Sequence, residues 1–129
     1  MTTEPRWKRA QGWIDLRGRR EGGVAFLLMR LTGIGLVIYL FLHLYVLRLL
    51  AQGPEAWDAF IATAKSPLFL MLDGILILGL LYHGLNGLRV TLLGLGIGVP
   101  LQARLFWGVM ALTLLLTGVA VYAMFALVG

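Results

Sequence analysis

Residues 24–50 read VAFLLMRLTGIGLVIYLFLHLYVLRLL, an almost unbroken apolar run of 27 residues. Its charged or imidazole side chains are confined to Arg30, His43 and Arg48; nearly everything else is apolar. About 20 helical residues cross the roughly 30 Å of hydrocarbon in a bilayer, so the stretch is long enough to span one. Two further segments are built the same way, roughly Leu68 to Leu93 and Leu105 to Val128. None of the three carries the polar face that a helix on a soluble protein needs. The sequence therefore predicts an all-α membrane protein with three transmembrane helices, residues 24–129, preceded by a basic arm, residues 1–23.

Composition agrees. The chain has 129 residues, 60% hydrophobic and 13% charged, with a mean hydropathy of +0.88. A soluble domain has about 45–50% apolar and about 25% charged residues. The length leaves no room for a separate catalytic domain. A net charge of +5 on so apolar a chain points to anionic lipid or a docking surface, and not to nucleic acid. The cysteine count is 0, which excludes disulfides, iron–sulfur ligation, cysteine zinc sites and covalently attached haem. Any redox role needs a non-covalent or borrowed cofactor. The charged N-terminal segment has no apolar run of the kind a secretory signal carries.

The connections hold recognisable stop and start signals. Gly53-Pro54 and Ser66-Pro67 mark turns or helix starts between the first two spans. Gly94, Gly96, Gly98 and Pro100 form the second connection. That glycine run lacks the final spacing, the preceding strand and the acidic residue of a nucleotide-binding loop. Of the 11 Lys and Arg residues, only Arg48 and Lys65 fall on the side reached after the first span. The positive-inside rule then puts the N-terminus in the cytoplasm and the C-terminus outside. Trp7, Trp13 and Trp107 fit the headgroup layer.

The exceptions inside the spans carry the functional information, because ionisable groups in lipid are costly. They are Arg30 and His43 on the first span and Asp73, His83 and Arg89 on the second. Helical periodicity puts Gly79, Asn86, Gly87, Val90 and Gly94 on the His83 face, and Thr32, Leu36 and Tyr39 on the His43 face. Glycines around His83 leave a flat groove. It suits either another helix backbone or the edge of a planar macrocycle with His83 as axial ligand. Measured from Arg30 and Arg89, the two histidines differ in depth by roughly 10 Å; measured from the other edge, by roughly 16 Å. Straight helices cannot put both on one iron, whose ligand bonds are near 2 Å. Each serves its own cofactor, or at least one is structural. The chain has 2 histidines, so a bis-imidazole site needs a second chain. Arg30 and Arg89 either snorkel or hold carboxylates and quinone oxygens. Asp73 falls near the outer headgroups.

Two segments resemble a known family. Met29-Arg30-Leu31-Thr32-Gly33, after Arg17-Gly18-Arg19-Arg20-Glu21-Gly22-Gly23, resembles the H-R-[IVL]-[TS]-G opening of the cytochrome b membrane-anchor subunit of succinate dehydrogenase. His83-Gly84-Leu85-Asn86-Gly87-Leu88-Arg89 resembles that family's H-x-x-x-G-[IL]-R signature. Residues 57–67 resemble the outer loop of a bacterial branch with small anchors.

The resemblance implies three helices beside a second anchor subunit in a bacterial inner membrane, beneath a flavoprotein and an iron–sulfur subunit. It implies haem b ligated by His83, a distal haem b on His43, and a quinone and propionate near Arg30, with Arg89 as a further contact. Each haem is shared with the partner anchor. The basic arm is expected to dock on the iron–sulfur subunit or on headgroups. Met29 stands where the family usually has histidine, and Phe26 where one branch has a quinone-binding serine. The rival reading is a cofactor-free structural or transport subunit. A transporter, however, places a carboxylate near midplane, and Asp73 is too close to one end.

Overall fold

The computed structural model describes residues 21–128. Helix α1 (Glu21–Gln52) is followed by a short α2 (Pro54–Ala64), by α3 (Pro67–Gly94), by one 3-10 turn (Val99–Leu101) and by α4 (Gln102–Val128). Helices α1 and α3, and the segment Val99–Val128 that contains α4, are each apolar and long enough to cross a membrane, as the sequence predicts. Helix α1 begins at Glu21, ahead of Val24, where the carboxylate complements the positive end of the helix dipole. Its length corresponds to about 48 Å, so it exceeds the hydrocarbon layer. The basic arm up to residue 20, with its expected docking role, lies outside the described residues.

The helix starts are where the proline signals put them. Pro54 follows Gly53, and Pro67 follows Ser66, each proline occupying the first turn, where no N–H is needed. The first connection is itself helical. Helix α2 turns Trp57 and Phe60 inward, with their rings 5.8 Å apart, and leaves Glu55 and Asp58 exposed. The second connection needs Gly98, whose φ of +77° sits in the left-handed region.

Burial is inverted relative to a soluble protein. Among the described residues the largest fully buried side chains are Asn86 and Thr113, while most of the large apolar side chains along the three spans stay exposed. Lipid satisfies the apolar surface, so the interior is left for polar groups and close backbone approach. The most extensive packing is between α3 and α4. There Gly74 approaches so closely that a Cβ would meet Val121 Cγ2 at 3.0 Å. Ala25, Tyr82 and Phe106 join α1, α3 and α4 in one small apolar cluster.

Candidate functional site

His83 lies on α3 level with Thr32 and Gly33 of α1. Its Nδ1 is 3.1 Å from Thr32 Oγ1. The ring rests on Gly33, where a Cβ would stand 3.2 Å from His83 Cε1. No described residue hydrogen-bonds Nε2, and this atom is not among the sealed, unpartnered polar atoms of the interior, which are the hydroxyls of Thr113 and Thr117. One imidazole nitrogen is thus anchored and the other is open.

The glycine groove predicted around His83 receives α1. A Cβ at Gly87 would meet Met29 Cε at 3.1 Å, and one at Gly79 would meet Thr32 Cγ2 at 4.0 Å. Of the two uses the sequence leaves open, helix packing fills this part of the groove. Thr32 shares its α1 face with His43, as periodicity expects, and from that face it reaches His83 on α3.

Asn86 and Arg89 continue the polar line along α3. Asn86 Nδ2 donates to Met29 Sδ at 3.6 Å. Arg89 is 6% exposed. Its Nη1 donates to Asn86 Oδ1 at 3.2 Å, and its Nε and Nη2 donate to the Gln102 carbonyl at 3.4 and 3.1 Å. Its guanidinium also lies 5.5 Å from the Phe106 ring centre. The arginine therefore points into the α3–α4 packing and ties down the start of α4. Tyr82 Oη donates to the Ala25 carbonyl at 3.2 Å, a second polar tie between α3 and α1. Arg30 instead is exposed, its guanidinium 4.5 Å from the Phe26 ring centre.

His43 lies about three turns beyond Thr32, so about 16 Å further along α1 than the His83 level. Its Nδ1 is 3.4 Å from Tyr39 Oη, with the rings 5.6 Å apart. It lines a cavity of about 380 Å³ under α2, together with Asp73, Trp57 and Phe69. His43 and Asp73 thus share the end of the bundle away from Arg30 and Arg89. The structure brings Arg30 and His83 to one end and keeps His43 apart from both.

Sequence reasoning passes over three site residues: Met29, Asn86 as a buried donor and acceptor, and the Gln102 carbonyl. A neutral amide within an apolar span is a usable signal, since it must find partners in the interior. A backbone carbonyl carries none.

These features define a class: a three-span helical membrane protein that holds one histidine between two spans with a single ring nitrogen open. Among the described residues no group of three or more His, Cys, Asp or Glu converges. The pattern of the succinate dehydrogenase/fumarate reductase transmembrane subunit matches residues 9–122, and the chain belongs to this family. It is 32% identical over 88 residues to the succinate dehydrogenase 2 membrane subunit SdhC of Mycobacterium tuberculosis, covering 67% of this chain and 65% of that protein. It is 35% identical over 103 residues to the succinate dehydrogenase hydrophobic membrane anchor subunit of Halobacterium salinarum, covering 77% and 74%. The match thus spans about two thirds to three quarters of these relatives. With its three apolar spans, the chain is a multi-pass inner-membrane protein.

Proposed function

We propose that the chain is the membrane-anchor, haem b-binding and quinone-site subunit of a succinate:quinone oxidoreductase. The observation that carries this reading is His83, anchored through Nδ1 between α1 and α3 with Nε2 open. A neutral imidazole in that state has the donor chemistry of an axial haem ligand. A haem bound here would supply one-electron transfer; His83 would hold its iron from this chain, and a second ligand would have to come from another chain. No cysteine is present to bind iron–sulfur clusters, so these belong to a partner, as does the flavin that oxidises succinate.

Around that ligand the residues divide the work. Arg30, exposed one turn along α1 from Phe26, offers donors to a haem propionate or to a quinone oxygen in a low-dielectric setting. Arg89 fixes the α3–α4 connection, and its buried charge adds to the positive field for a haem propionate or a quinone oxygen at this end. The Arg30 end faces the cytoplasm and the catalytic partners, as the distribution of basic residues requires. His43, at the opposite end, is the ligand of a distal haem b.

The test is spectroscopic. In the purified complex, His83→Ala removes a low-spin b haem, seen as loss of its Soret and α bands relative to flavin. An assembled complex that contains the His83→Ala chain and retains all its haem would exclude the reading.

A further inference from the structure

We infer that Thr32 is a positioning residue for the axial ligand: its hydroxyl holds His83 as the Nδ1–H tautomer and thereby presents the Nε2 lone pair to iron. The inference rests on the haem reading above and deepens it.

A threonine hydroxyl has one proton and can accept through its lone pairs. In Thr32 that proton is directed along α1, to the Leu28 carbonyl at 2.8 Å and the Met29 carbonyl at 3.2 Å. What Oγ1 then turns towards His83 Nδ1, at 3.1 Å, is a lone pair. An unprotonated Nδ1 would set two lone pairs against each other, or would pull the hydroxyl off its shorter bond. A protonated Nδ1 donates to Oγ1 and resolves both. With the ring neutral, the proton on Nδ1 leaves Nε2 bare, which is the form a metal takes up. Gly33 lets the ring reach this position, since a side chain there would meet Cε1.

His43 has no such device. Its Nδ1 is 3.4 Å from Tyr39 Oη, and that hydroxyl makes no other hydrogen bond among the described residues, so its proton is free to point at the ring. The Tyr39 contact is compatible with either tautomer of His43, whereas the Thr32 contact favours one at His83.

Hydrogen-bonded ligand histidines are more basic ligands, and loss of the outer partner weakens metal binding about 10–100-fold. A more basic imidazole favours ferric over ferrous iron. The experiment compares Thr32→Val, which keeps the branched shape and removes the oxygen, with Thr32→Ser, which keeps the oxygen, in the assembled complex. The readouts are haem per flavin, the low-spin electron paramagnetic resonance signal and the haem midpoint potential.

Thr32→Val is expected to move the signal, raise the potential and lower haem retention, while Thr32→Ser restores all three. If Thr32→Val loses all haem, retention in Thr32→Ser still supports the inference, and loss in both overturns it. Wild-type haem content, signal and potential in Thr32→Val also overturn it. His83→Ala separates the two levels. If it removes haem while Thr32→Val is silent, only the tautomer role fails; if it keeps all haem, both fail.

Discussion

His83 stacks on the backbone of Gly33, so close that a methyl group at Gly33 would stand 3.2 Å from Cε1 and 3.7 Å from Nδ1. The contact joins the [TS]-G end of one motif to the first residue of the other, across two helices. Gly33→Ala requires the ring to yield by a few tenths of an ångström. Overpacking of this kind costs about 1–3 kcal/mol, and larger residues cost more. The expected outcome is a complex whose Gly33→Ala chain retains haem with a shifted low-spin signal, and whose Gly33→Val chain loses most of it. Haem-to-flavin ratios with low-temperature spectra check this; wild-type spectra in both variants would refute it.

Arg89 supports a second prediction. Its donors hold the buried Asn86 Oδ1 and, at a half-buried contact, the Gln102 carbonyl. An ammonium cannot reproduce a planar fork that serves two acceptors. Arg89→Lys is therefore expected to lower stability, by about 1–3 kcal/mol where the buried Asn86 acceptor is left unmatched. Thermal unfolding of the detergent-solubilised complex measures the loss. A Lys variant as stable as the native chain would show that the fork is not needed.

The contrast between the buried Arg89 and the exposed Arg30 marks what the sequence makes legible. Hydropathy places the spans because lipid contact is a property of each segment alone. Prolines place the starts of α2 and α3 because a missing N–H is a local fact. Register between helices is not local. Periodicity along α1 groups Thr32 with His43, and only the packing of α3 against α1 puts it on His83. Arg30 and Arg89 read alike as edge arginines. The turn at Gly98 brings the Gln102 carbonyl to Arg89, which is buried, while Arg30 stays exposed beside the Phe26 ring. That α2 roofs the His43 cavity likewise depends on how Trp57 and Phe60 pack, beyond what the Gly-Pro and Ser-Pro signals encode.

The turn itself gives a paired test. Gly96 and Gly98 both have positive φ, +81° and +77°. A Cβ at Gly96 meets nothing within 4 Å, while one at Gly98 would lie 2.9 Å from Leu105 Cδ1. Both alanine variants incur the left-handed penalty of about 1–2 kcal/mol. Gly98→Ala must also displace the leucine, so its thermal midpoint is expected to fall further. Equal loss in the two would mean that the leucine moves aside without cost.

His43 carries the remaining prediction. Two imidazoles on one iron would have to lie within about 4 Å of each other, given ligand bonds near 2 Å. The contact of His83 with Thr32 puts His43 about three turns away along α1, which rules out a shared iron within this chain. His43 lines its own cavity, with Asp73 and Trp57. If it ligates a distal haem, His43→Ala removes one haem and leaves the spectrum of the His83 haem intact, and His83→Ala does the converse. Potentiometric titration resolves the two components separately. An unchanged haem-to-flavin ratio in His43→Ala would leave the complex with one haem and give His43 the role of a cavity-lining partner of Tyr39.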